Sequence, residues 1–188
     1  MNKKKLSLTM LSVVSCLYAA SGYAATDTQS GIMHISTHID QNTCAWNTAA
    51  SGLTQSVSLP DIPLNELASL NPWETIENKE VQFSVTDCPE TIKTVKLKFS
   101  YSSQSGVPAA LMKNNGTAKG VEFVMYDDES KIGGNTSTVP IQPNGIVSAP
   151  MDDSGAATIN IYPTLIRDKF VAAEGTVQSS ADISVIYE

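Results

Sequence analysis

At 188 residues the chain has room for one domain with a real core. Its formal net charge of -7, from 12 Lys and Arg against 19 Asp and Glu, argues against nucleic acid and anionic membranes as partners. GxSxG, GxxxxGK and GxGxxG are all missing from the sequence, and 2 histidines support few catalytic arrangements, so no enzyme activity and no cofactor are expected.

Lys3, Lys4 and Lys5 precede an apolar run from Leu6 to Ala20, and Gly22 and Ala24 supply the small residues a signal peptidase needs. Residues 1–24 therefore read as a secretory signal and residues 25–188 as the mature domain. The apolar run is too short for a membrane span. Val13-Val14-Ser15-Cys16 is a rival lipoprotein cleavage site, but the apolar run continues past it to a better one. Removing the signal leaves 9 Lys and Arg against 19 Asp and Glu, a formal charge of about −10. It also leaves two cysteines, Cys44 and Cys88, which in an exported chain most simply form one disulfide. Closing a loop of roughly forty residues stabilises by about 3–4 kcal/mol on the chain-entropy model.

The mature chain then reads as strand after strand. Met33, Ile35 and Ile39 share one parity against His34, Ser36, His38 and Asp40, a strand that ends just before Cys44. Between Ser58 and Trp73, Leu64, Leu67, Ala68 and Leu70 suit one or two helical turns. Val81, Phe83 and Val85 alternate up to Cys88, so the disulfide is expected to tie two strands near their ends. Val95, Leu97, Phe99 and Tyr101 alternate with Thr94, Lys96, Lys98 and Ser100. Val121, Phe123 and Met125 form another strand before the 127–134 turn, and Ala157, Ile159 and Ile161 another that stops before Pro163. Gly106-Val107-Pro108, Asn114-Asn115-Gly116, Gly133-Gly134-Asn135 and Pro143-Asn144-Gly145 supply the turns. In the last fourteen residues Val177, Ala181, Ile183, Val185 and Tyr187 oppose Gln178, Ser180, Asp182 and Ser184. No strand follows. A β-sandwich closed by this segment exposes an open edge beside it, and open edges invite pairing with another chain.

Other candidate sites favour plain readings. His34 and His38 on one strand face lie about 13 Å apart, too far for a shared metal ion. Asp127-Asp128-Glu129 and Asp152-Asp153 lack the ligand spacing of a calcium loop and read as solvated turns. Asn115-Gly116-Thr117 and Asn135-Thr136-Ser137 match the glycosylation pattern but read as ordinary loop sequence. Trp46 and Trp73 read as packing residues rather than as a carbohydrate platform, because no second aromatic neighbours either in sequence.

In this order the residues resemble the pilin subunits of chaperone-usher fimbriae. The features that carry the resemblance are a signal peptide, a short strand arm, Cys44, Val81-x-Phe83-x-Val85-x-x-Cys88, and Val95-x-Leu97-x-Phe99. The most specific is the end, with Gly175 fourteenth from the C-terminus and Tyr187 penultimate. The resemblance implies an all-β, incomplete immunoglobulin-like sandwich that lacks its final strand and is completed by donor-strand exchange. Residues 25–40 would be the N-terminal donor arm and residues 41–188 the sandwich body. Within the donor segment 29–39, Gly31, Met33, Ile35, Thr37 and Ile39 would insert into a neighbour. Val177, Ala181, Ile183, Val185 and Tyr187 would line the acceptor groove, with Gly175 and Tyr187 as the motif a chaperone recognises. The implied partners are a periplasmic pilus chaperone, an outer-membrane usher and neighbouring pilin subunits, for a fimbrium on the bacterial surface. Two departures stand out. Seven residues before Cys44 the sequence has Thr37 where family arms usually carry glycine, and Pro163-Thr164-Leu165-Ile166-Arg167-Asp168 is a poor match to the usual ending of the preceding strand.

Two alternatives remain at this level. A fimbrial adhesin or shaft subunit would itself bind a host glycan or protein. A stand-alone sandwich would pair residues 31–39 within its own chain.

Overall fold

The computed structural model describes residues 28–38, 44–47, 54–133 and 139–188. The signal segment, Ile39 and the sequon at 135–137 lie outside the described residues, and for residues 28–30, 36–38, 47 and 54–55 only the backbone is described. Among the described residues ten strands form two packed sheets: β1 Thr28–His38, β2 Ala45–Asn47, β3 Thr54–Pro63, β4 Thr75–Asn78, β5 Val81–Thr86, β6 Thr94–Ser100, β7 Val121–Tyr126, β8 Ile146–Pro150, β9 Ala157–Arg167 and β10 Thr176–Tyr187. The helix α1 Leu64–Ser69 occupies the stretch expected to be helical and buries Leu67. The fold is thus the expected all-β sandwich. Among the described residues no helix is long and apolar enough to cross a membrane.

The first sheet runs β3-β1-β10-β6-β8. In the second, β2 pairs with β5 and β5 with β9, and β9 continues alongside β4 and β7. Strand alternation sets the packing: β5 and β6 turn Val81, Phe83 and Val85, and Val95, Leu97 and Phe99, into the space between the sheets. Each fully buried Leu, Ile or Phe side chain there contributes about 1.5–3 kcal/mol of hydrophobic stabilisation.

Two strands depart from the sequence reading. β7 is buried on both faces, because Val124 and Tyr126 pack on Leu111 and Ile166 while Val121, Phe123 and Met125 face the main core. β9 does not stop before Pro163 but runs on to Arg167. The β5 ladder ends at Ile161 opposite Val81, and the β4 ladder begins at Thr164 opposite Asn78. Pro163 falls in the gap between them, where a strand tolerates the loss of one N–H, and its carbonyl still accepts from Lys79 N at 3.1 Å.

The edge that the sequence leaves beside β10 is occupied here by β1 of the same chain. β1 lies parallel to β10 and antiparallel to β3. That is the internal pairing expected of a closed sandwich, made by the segment expected to act as a donor.

Candidate functional site

The site is the groove between β3 and β10, with β1 seated in it. Register sets Gly31 opposite Val177, Met33 opposite Ser179, Ile35 opposite Ala181 and Thr37 opposite Ile183. On the other side Gly31, Met33 and Ile35 face Leu59, Val57 and Gln55. Met33 and Ile35 are both 0% exposed, and His34 between them is exposed, so the alternation of the arm matches the pleat of its groove. His34 pairs by register with Ser56, whose hydroxyl lies 3.3 Å from its Nδ1.

Gly31 sits at a close approach of the arm to the core. A Cβ there would lie 3.1 Å from Leu165 Cδ1 and 3.2 Å from Phe123 Cζ, so a larger residue would force both side chains back. Gly31 lies six residues before Thr37, on the same parity, at the end of the groove near Gly175, and the side chain of Thr37 lies outside the described residues.

Of the expected groove residues, Val177, Ala181 and Ile183 are buried beneath the arm. Val185 and Tyr187 are partly buried and lie beyond Ser184, the last residue of β10 opposite the described part of β1, and they pair with Leu97 and Val95 of β6. Tyr187 instead reaches the other sheet: Trp46 Nε1 in β2 donates to its hydroxyl at 2.8 Å. Cys44, directly before β2, is bonded to Cys88, just after β5, with Cα atoms 4.4 Å apart. The disulfide therefore ties two strand ends, as expected, and holds the Trp46 platform under the C-terminal tyrosine.

Gly175 has φ of +148° and no room for a side chain, since a Cβ would lie 2.4 Å from both Ala118 N and Thr117 Oγ1. The close neighbour is the 113–118 loop, which the sequence reading took only as a turn. It pairs with the start of β10 on the side away from β1: Ala118 N donates to Thr176 O at 3.0 Å, Asn115 N to Gln178 O at 2.7 Å, and Gln178 N to Asn114 Oδ1 at 3.0 Å. Ser179, on the groove parity but omitted from the sequence set because it is polar, is 3% exposed and donates to Lys113 O at 2.8 Å.

Behind this loop lies a buried acid. Glu122 accepts from Asn114 N at 3.1 Å, and burial, with the charge of Asp168 beside it, pushes its carboxyl up to about 8. Asp168 Oδ2 is buried without a hydrogen-bond partner among the described residues, and the proton that Glu122 keeps at neutral pH relieves the repulsion between the two neighbouring carboxyls. Asp168 Oδ1 accepts from Phe170 N at 2.6 Å and from Arg167 Nη1 at 3.4 Å. No spacing in the sequence marks Glu122, because its partners come from distant segments.

The two tryptophans separate. Trp46 packs against the core as expected, whereas Trp73 is 42% exposed, so the packing role read for it from sequence does not hold. Asp152 is a turn-capping residue, its Oδ1 accepting from Ser154 N and Ala156 N at 2.9 Å each.

The model of the family described as "Fimbrial protein" matches residues 33–188. Among curated proteins no sequence match is found. Solved structures are similar as well, two of them described in the following terms. One is an antigen and type I fimbria protein of Burkholderia pseudomallei, 19% identical, covering 84% of this chain and 93% of its own, with a TM-score of 0.44. The other is the CupB6 tip adhesin of Pseudomonas aeruginosa, 15% identical, covering 63% of this chain and 36% of its own, with a TM-score of 0.41. At these scores neither structure adds to an assignment that rests on the family match.

Proposed function

Because the chain belongs to the fimbrial protein family, we propose that its arm and groove are the two halves of a subunit joint, through which it assembles with other pilus subunits on the cell surface by exchanging β1 between chains. The observation that carries this reading is the seating of β1. It is the first described strand, it lies against the last strand, and it buries Met33 and Ile35 completely. A neighbour's arm can supply the same main-chain ladder and the same side chains, which is strand addition to a sheet. On this reading a periplasmic pilus chaperone protects the groove beside Val177, Ala181, Ile183, Val185 and Tyr187 until an outer-membrane usher brings the next arm. Gly175 and Tyr187 fix the two ends of the recognised strand.

The internal pairing of β1 favours a second reading, a closed sandwich that never exchanges. The two are separated by ejecting the arm. In the mature chain carrying Met33→Asp and Ile35→Asp, two charges would have to enter a dry groove, so the arm is expelled. If β1 is an exchangeable part, this variant binds a peptide of residues 28–38 in a 1:1 complex, seen by size exclusion, and the unaltered chain forms linear polymers at high concentration. Failure of the variant to bind the peptide, together with an unaltered chain that stays monomeric at every concentration, would overturn the exchange mechanism.

A further inference from the structure

Trp73 is held with φ of +76°, in the left-handed region that bulky side chains enter only at an energetic cost. Its N–H donates to Arg167 O at 2.7 Å, which pins the strained turn to the end of β9. Strain that served packing would bury the residue, yet Trp73 is 42% exposed. Trp73 borders a hollow of about 420 Å³ shared with Asn71, Glu74, Thr75 and Tyr126, a size typical of small-ligand sites.

The polar groups around it are already fixed. Asn71 N donates to Glu74 Oε2 and Asn71 Nδ2 to Glu74 Oε1, each at 2.8 Å. These bonds hold the Glu74 carboxyl below its usual range, so it stays an anionic acceptor. A carboxylate accepts about four hydrogen bonds, and two of its positions remain for a ligand. Tyr126, 5% exposed, forms a rigid wall.

We propose that Trp73 is the stacking platform of a saccharide site that takes a neutral pyranose. An aromatic face suits the C–H face of a sugar ring, and Glu74, Asn71 and the Thr75 hydroxyl suit its hydroxyl groups. The carboxylate of Glu74 and the formal net charge of -7 select against acidic sugars.

The mature chain would be titrated calorimetrically with glucose, galactose, mannose and N-acetylglucosamine, with N-acetylneuraminic acid and tetramethylammonium as contrasting probes. At least one neutral sugar is expected to saturate with a millimolar or tighter Kd. Trp73→Gly is expected to weaken it at least tenfold while the thermal midpoint holds or rises, because glycine occupies this backbone conformation freely. Glu74→Gln is expected to weaken it severalfold. The proposal is overturned if no neutral sugar binds, if tetramethylammonium or the acidic sugar binds better, if Trp73→Gly binds as before, or if that variant loses binding together with stability. Arm exchange, followed by size exclusion on the same samples, reports independently on the joint.

Discussion

At Glu122 a carboxyl sits in a strand buried on both faces, 4% exposed, with its pKa pushed up to about 8 by burial first and by Asp168 second. The consequence for stability has a definite sign. Below about pH 4.5 the folded and unfolded chains both carry this proton; from there up to about 8 the unfolded chain has lost it and the folded chain has kept it. Stability therefore falls as pH rises through that window and levels off above it. Glu122→Gln keeps an acceptor for Asn114 N and a permanent donor for Asp168, and it does not titrate. The substitution is expected to flatten this fall, so that the variant has the higher thermal midpoint at pH 8.5 and a near-equal one at pH 5. A variant with the same pH profile as the parent would show that Glu122 is not the group responsible.

Among the elements, β1 carries the sharpest energetic prediction. Ile35 is 0% exposed between β3 and β10, and Ile35→Ala should cost about 2–5 kcal/mol, read from the urea unfolding midpoint. A loss under about 1 kcal/mol would mean that the arm is not seated in solution. Elements with clean alternation were legible from the residues: β1, β5, β6 and β10 each place one parity inward, and all four lie where expected. β3 was not legible, because Pro60 and Pro63 argue against a strand. Its place at the sheet edge admits them, and Pro60 sits at the register shift opposite Gln29 and Gly31. β8 was also missed: its inward residues are only Val147 and Ala149, which give too weak a period. β9 was cut short because the sequence does not show that Pro163 falls between two partner strands. At the site, period-2 reasoning found Val177, Ala181 and Ile183 but passed over Ser179, and it had no means of finding the 113–118 loop, whose bonds to β10 span some sixty residues.

Over the whole molecule, closure of the sandwich depends on a strand that the chain supplies to itself. If that strand must leave before another enters, added arm peptide should label the intact chain at a rate set by opening alone, independent of peptide concentration. The Met33→Asp, Ile35→Asp variant should instead take up peptide at a rate proportional to its concentration. Fluorescence anisotropy of a labelled 28–38 peptide distinguishes the two, and a concentration-dependent rate in the intact chain would mean that the groove stands open.

Only residues 39–43 separate the end of β1 from Cys44, which the disulfide anchors to the body. The arm is therefore a ligand on a short tether, present at its own groove at an effective concentration on the order of millimolar. An identical competing strand at micromolar concentration faces an internal rival about a thousandfold more abundant, so at equilibrium it takes only about one groove in a thousand. If subunits join by exchanging this strand, folded chains would form a dormant reserve, and linking would be a race won by a strand that reaches the groove before the chain's own arm closes it.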